Sequence, residues 1–305
     1  MKLLTIGIGL KGAKVVENFY RKGIKVNRAP LFKCFAILGD ESHIRTVKMR
    51  DDRKFYAPSK KSVPAFLNSI TRIYELWEGG LIIFSIEDEY SFELALEINE
   101  KIREVFEDPI MSLLLIPTIE KLDLTDLKKK ILEVKKKSDI LLLFEGKVDF
   151  EEKILKSLNL LALAGEVDLK RRVAGEVVVD TSDVFNALKS DGFSVIGFAE
   201  KKIPIEIFKK KNELKARRTK RIIDLYELAL QNLSVLGNIE EASSSLVLFS
   251  GPKEEITMEG IFEVIGRIEK MNQSMEIRYG DCPLQSRKVS LIVLFSGIKS
   301  LKLQG

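Results

Sequence analysis

LIIFSIEDEYSFELALEINEK, residues 81–101, is the stretch on which the fold turns. Leu81 to Ser85 form a short apolar run, and Phe92 onward carries apolar residues at helical spacing. The stretch therefore reads as a buried strand followed by an amphipathic helix. At the corner between them stand Glu87, Asp88 and Glu89. In an open α/β sheet this corner is where a ligand phosphate rests, on glycine amides and a helix N-terminus. Three carboxylates in that place raise the question of what the corner holds.

The same alternation extends in both directions. Lys2 to Ile8 read as an apolar strand, GIGLKG (7–12) as a turn, and Lys11 to Lys22 as a helix ending near Gly23. LFKCFAILGD (31–40) is a second buried strand, residues 45–65 a polar loop, and Ser69 to Trp77 a helix. MSLLLIP (111–117) and DILLLFEG (139–146) are strands, separated by the helix LTDLKKKILEVKKK (124–137) with Thr125 or Asp126 as its cap. Continuous apolar strands alternating with helices predict a doubly wound, Rossmann-like parallel sheet. FEEKILKSLNLLALAGEVDLKRRVA (150–174) has helical periodicity and is apolar on more than one face, so it predicts a connecting core helix. Beyond it come a short helix near 183–190, a strand (193–200), a basic lead-in (209–221) to a long helix (222–233), a strand (243–251), a helix (257–272) and two strands (274–280, 287–297). The expected domains are thus 1–149, a core helix 150–174, and an α+β unit with a mixed sheet over 175–305.

Composition narrows the function classes. The chain has 305 residues, 45 % apolar and 31 % charged, which describes a globular protein. No apolar run reaches the roughly 18–20 residues of a membrane helix, and MKLLTIGIG does not read as a signal peptide. Cys34 and Cys282 give neither a disulfide framework nor paired metal-ligand spacing, so a reducing, cytoplasmic setting is expected. Fifty basic residues face 45 acidic ones, a mixed surface and not a nucleic-acid footprint; the abundance of Lys and Glu leans towards a thermophile. A single His, His43, argues against His-based catalysis and zinc.

Specific residues then agree with a known superfamily. LLTIGIGLKGAKVV (3–16) looks like the FtsZ opening strand and first phosphate loop, GxGGAGxNxV. VVVDTSDV (177–184) looks like NLDFADV after the core helix. LVLFSGPKEEITMEGIFEVIGRI (246–268), EIRYG (276–280) and VSLIVLFSG (289–297) are similar to segments of the second domain. In this collinear order the chain resembles the tubulin/FtsZ superfamily, as a divergent archaeal-type member. The resemblance implies a cytoskeletal protein of cell division that assembles through longitudinal contacts with itself or with a true FtsZ-like protein. It also implies GTP or GDP with Mg²⁺ as ligands, Gly7, Gly9, Gly12 and Lys14 as nucleotide-binding residues, and Asp180 and Asp183 as catalytic residues acting on a neighbouring subunit.

The departures bear on nucleotide handling. The GGGTGTG run expected after the strand at 81–85 is missing, and Glu87, Asp88, Glu89 and Tyr90 stand there. A carboxylate about 4 Å from a phosphate, at an effective dielectric near 20, costs roughly 4 kcal/mol. The acids also read as helix-capping residues near an N-terminal dipole. The acidic residue that holds guanine in FtsZ falls at Gly165, with Glu166 beside it, and Lys14 replaces an Asn. The glycines of GxGxxG are open to a second reading as a tight strand-to-helix turn, and Asp180 or Thr181 to one as an N-cap. Arg217, Arg218, Lys220 and Arg221 read as a solvated helix start. The adaptor-binding tail of FtsZ is expected to be absent, and with it direct membrane binding.

Three functions follow: an FtsZ-like protein with weakened GTP binding and hydrolysis, an active GTPase with a rebuilt phosphate loop using a metal bridged by Asp88 or Glu89, and an NAD-dependent enzyme. The last needs an acid about 20 residues past the glycines, and Asp40 lies 28 past Gly12.

Overall fold

The computed structural model describes residues 1–71, 76–118, 124–164, 166, 175–204 and 211–302. It divides into two compact units, Met1–Leu155 and Lys156–Gly305.

In the first unit the strands β1 (Leu3–Ile8), β4 (Phe32–Leu38), β5 (Lys54–Tyr56), β6 (Gly79–Ser85), β7 (Ile110–Ile116) and β8 (Ile140–Glu145) form a sheet ordered β8-β7-β6-β1-β4-β5. Every pairing in it is parallel. β1, β6, β7 and β8 are buried along their whole length, as strands covered on both faces must be. Chain order runs outward from β1 through β4 to β5, then returns to β1's other side at β6. That reversal is the switch point at whose carboxyl edge α/β proteins place their ligands. A small hairpin, β2 (Lys25–Val26) with β3 (Ala29–Pro30), turns through Asn27 and Arg28, both at positive φ.

The helices of this unit are α1 (Gly9–Lys22), α2 (Glu41–Thr46), α3 (Val63–Thr71), α4 (Glu89–Ile102) and α5 (Leu124–Lys137), and α6 (Phe150–Ala162) begins in it and runs past its end at Leu155. Two expectations need correction. Residues 45–65 are not an irregular loop: they hold the end of α2, the strand β5 and the start of α3. The helix expected at 69–77 begins at Val63 instead, because Val63, Phe66, Leu67 and Ile70 make a buried stripe at helical spacing and Pro64 fits a first turn, where no amide bond is lost. Thr125 and Asp126 lie inside the first turn of α5. The core helix is described only to Ala162. After it, Ala164 and Glu166 donate to carbonyls three residues back, a tightened turn, and Gly165 and 167–174 lie outside the described residues.

The second unit carries α7 (Thr181–Leu188), α8 (Lys211–Gln231), α9 (Met258–Met271) and the strands β9 (Phe193–Lys202), β10 (Ser244–Gly251), β11 (Glu276–Pro283) and β12 (Lys288–Ile298). The sheet order is β11-β10-β12-β9, parallel only between β10 and β11, hence mixed as expected. Among the described residues no helix is long and apolar enough to cross a membrane.

Candidate functional site

The first unit's site is built where β1 hands over to α1. Gly9 opens α1 at φ +70, and Ile8, in the cap position, has no side chain able to satisfy the first amides. A Cβ at Gly12 would overlap the carbonyl of Ile83 on β6, and one at Gly7 the carbonyl of Gly12. These two glycines let α1 lie against the sheet. Gly9 instead faces the corner. A Cβ there would strike the Ser91 side chain, with Asp88 Oδ2 only 3.3 Å away. The chain's own hydroxyl and carboxylate thus stand against the start of α1, whose exposed amides favour an anion.

Each acid of the corner is engaged. Glu87 pairs with the ammonium of Lys11, and its amide donates to Ser85 Oγ at 3.3 Å. Asp88 occupies the cap position of α4, yet its carboxylate accepts from the Ser91 hydroxyl and makes no bond to a helix amide. Glu89 receives Lys130 Nζ at 2.8 Å. The Tyr90 ring lies over Gly39, and its hydroxyl donates to the Ala57 carbonyl. Burial, with Asp88 and Tyr56 nearby, raises the Tyr90 pKa above its ordinary value.

Lys14 points elsewhere: Nζ donates to Glu17 Oε2 at 2.9 Å and to the Thr46 carbonyl at 2.8 Å. Glu17 is buried, and also accepts from the Lys48 amide at 3.0 Å with Arg21 at 3.6 Å. Burial pushes its pKa up, but the Lys48 amide, Lys14 and Arg21 together outweigh this and hold it below its ordinary value. Asp40 does not end a strand. It caps α2, accepting from the Ser42 amide at 2.7 Å, and so has a local task in place of a ribose.

A cavity of about 440 Å³ lies beside the start of α6, lined by Asn18, Lys22, Phe150 and Glu151 among others. Asn18 Nδ2 donates to Glu151 Oε2 at 2.7 Å. An aromatic ring, an amide and a carboxylate in one recess of this size suit the edge and face of a planar heterocycle. Sequence reading missed this recess. The signal lay in Asn18, four residues after Lys14 on α1, and in the Phe-Glu-Glu opening of α6, but the two are 133 positions apart.

In the second unit Asp180 and Asp183 form a capping box on α7. Asp180 accepts from the Asp183 amide at 2.8 Å and Asp183 from the Asp180 amide at 3.2 Å. Asp183 also faces Arg278 Nε at 3.8 Å. The loop before them is tied to β11 by the buried Asp281, which accepts from the Val177 amide at 2.7 Å while its own amide donates to the Val177 carbonyl. Gly175 and Gly280 permit this close approach. Asp180 itself is exposed, and Val178 is 66 % exposed. The structure therefore brings Asp180 and Asp183 together on a fixed, outward loop, and Gly7, Gly9 and Gly12 together in one turn. It draws Lys14 away from that turn. The basic start of α8 is not simply solvated: Arg218 reaches the buried Glu255 at 2.9 Å, and Arg221 pairs with the same carboxylate.

With this geometry in hand, comparison with known proteins is informative. Residues 143–303 match the family described as tubulin-like CetZ, C-terminal domain. The chain is 34 % identical to tubulin-like protein CetZ3 of Haloferax volcanii, over 48 % of the chain and 40 % of that protein. It is 25 % identical to CetZ1 of the same organism, over 99 % of the chain and 89 % of that protein. Among solved structures, GDP-bound monomeric CetZ1 superposes with a TM-score of 0.80 at 22 % identity, covering 99 % of this chain and 96 % of that one. The GTPγS-bound protofilament of H. volcanii CetZ2 gives 0.79 at 18 % identity, covering 99 % and 95 %. An empty FtsZ dimer from M. jannaschii gives 0.71 at 15 % identity, covering 100 % and 94 %.

Proposed function

Since the chain belongs to the tubulin-like CetZ family, we propose that this tubulin/FtsZ-like cytoskeletal protein works through head-to-tail contacts, with copies of itself or with a related chain, while holding guanine nucleotide weakly. The single observation that carries the weak-binding part is the filling of the corner: Ser91 and Asp88 stand against Gly9, and Glu87 is locked to Lys11. A triphosphate needs free amides, open room and positive charge at a helix start. Here a carboxylate already complements that charge. Lys11 and Lys130 offset Glu87 and Glu89, which leaves Asp88 as the main source of repulsion. The penalty is about 1–4 kcal/mol, or about 5- to 1,000-fold in affinity. Mg²⁺ accompanies any nucleotide bound. Asp180 and Asp183, on their outward loop, are the residues offered to a neighbour. A cytoplasmic setting, a role in cell division and a thermophilic source follow the same reading.

The test is nucleotide content of the purified protein, then titration with GTP, GDP and NAD in the presence of Mg²⁺. Little bound nucleotide and weak GTP binding are expected, with the paired change Asp88→Ala and Ser91→Gly tightening GTP by about tenfold. Stoichiometric, tightly held GTP in the unaltered protein would refute weak binding. A second reading, an active GTPase, rests on the recess at Asn18, Phe150 and Glu151, since a carboxylate accepts from the N–H edge of guanine. It predicts GTP hydrolysis with a clear preference over ATP, lost in Glu151→Ala.

A further inference from the structure

A second recess of the first unit, of about 350 Å³, opens at the end of α1 away from Gly9. Four separate segments wall it: the last turns of α1, the β2–β3 hairpin, the first half of β4 and the turn before β5. Phe32, in that wall, pairs with Leu3 at the amino end of β1. Gly9 follows the far end of that six-residue strand, about 20 Å along the sheet. The recess is therefore separate from the corner and lies at the opposite edge of the sheet.

Among the described residues, the charged groups lining it are Lys25, Lys33, Arg50 and Arg53, all cations, in a chain that carries 45 acids. One carboxylate borders them: Asp52 faces Arg50 Nε at 3.1 Å and Arg53 Nε at 3.7 Å. The Lys33 ammonium stands 5.9 Å from the centre of the Trp77 ring. Positive charge outweighs negative here, and a concave wall concentrates its attraction for an anion. Arg53 Nη1 is buried and has no hydrogen-bond partner among the described residues. Its guanidinium packs over the Phe35 ring, 4.9 Å from the centre, which restrains its direction. A buried charged donor without an acceptor is costly, and an anion in the recess supplies the acceptor.

The wall also has a flat apolar part. Phe19 and Phe32 are buried, with ring centroids 4.5 Å apart and planes at 37°. Pro30 joins them in the lining and is the register partner of Lys25 in the hairpin. Cations and aromatic rings in one recess of this size suit a small ligand with a flat body and an anionic head.

We propose that this recess binds a small aryl phosphomonoester, its dianion held by Arg53 and Lys25 and its ring laid against Phe19, Phe32 and Pro30. Four cations against one carboxylate favour a dianion over a singly charged acid.

The experiment is calorimetric titration of the full chain with 1-naphthyl phosphate, inorganic phosphate and 1-naphthol, for the parent, Lys25→Glu, Arg53→Gln and Lys11→Glu. Lys11 lies at the Gly9 corner, so its reversal makes the same charge change as Lys25→Glu at the other site. Thermal melts check that each variant folds; Lys25 is exposed, so Lys25→Glu decides the matter if Arg53→Gln does not fold. Saturable binding of one naphthyl phosphate per chain is expected, weakened about tenfold or more in Lys25→Glu and Arg53→Gln and unchanged in Lys11→Glu. Phosphate and naphthol alone should each bind at least tenfold more weakly than the naphthyl phosphate. No saturable binding overturns the proposal, as does full affinity in Lys25→Glu. An equal loss in Lys11→Glu overturns it too, since the probe then senses the corner or the overall charge. Naphthol or phosphate binding as tightly as the ester overturns the two-part site.

Discussion

Glu17 shows what one side chain does to the first loop. It sits buried on α1, one turn beyond Lys14, and gathers the Lys14 ammonium, the Lys48 amide and Arg21 around a single carboxylate. Because those partners depress its pKa below the ordinary 4.5, the ionised form stabilises the fold above that pH, and the contribution is lost as pH falls through the lower folded value. Glu17→Gln should therefore lower the urea midpoint at neutral pH and lose less on acidification, so that the two proteins converge once the pH falls below the depressed folded value. Lys14 was legible in the sequence as a cation beside the glycines, but its direction was not, since Glu17 and Thr46 compete for it and Thr46 approaches from 32 positions away. The glycines were legible in pattern, and only the structure separates Gly9, which faces the corner, from Gly7 and Gly12, which face packed backbone. Asp180 and Asp183 were foreseen as either caps or outward acids; the capping box is formed, and Asp180 is nonetheless exposed.

Among the elements, those built from local pattern were read well. α5 spans Leu124–Lys137 because Leu127, Ile131 and Val134 form a buried stripe under a charged face, and the apolar strands β6, β7 and β8 declare themselves by continuity. Elements whose environment arrives from distant sequence were read poorly. The start of α8 is rich in Arg and Lys, which reads as solvated. Two of those arginines turn inward to Glu255, 34 and 37 residues further on. Removing that carboxylate leaves Arg221, itself 9 % exposed, with a buried charge uncompensated by Glu255. Glu255→Ala should accordingly cost about 3–5 kcal/mol by chemical denaturation, far more than loss of an exposed pair such as Lys215–Glu259, worth about 0–1 kcal/mol. The segment 45–65 belongs to the same class. Its polar composition suggests a loop, yet Tyr90, Lys14 and Glu17 each fasten it from elements that sequence order keeps apart.

On the scale of the molecule, each unit has its own sheet and its own buried core, parallel in the first and mixed in the second. Glu17 and Glu255 belong to different units and share no partner. Their Gln substitutions should add within about 0.5 kcal/mol in a double variant, measured by urea unfolding, and a larger discrepancy would reveal energetic coupling between the two sites. The superfamily was legible because order of elements survives where identity has fallen to 22 % against a superposable structure. Ligand chemistry was less legible, because the side chains that stand against Gly9 come from Asp88 and Ser91, far along the chain, and can differ without disturbing that order. The position of Gly12 has a wider bearing. With the carbonyl of Ile83 where its side chain would be, a tight seam between helix and sheet by itself demands glycine at the last letter of GxGxxG. Genome surveys that tally this signature are, at that letter, counting a seam between helix and sheet and not a ligand.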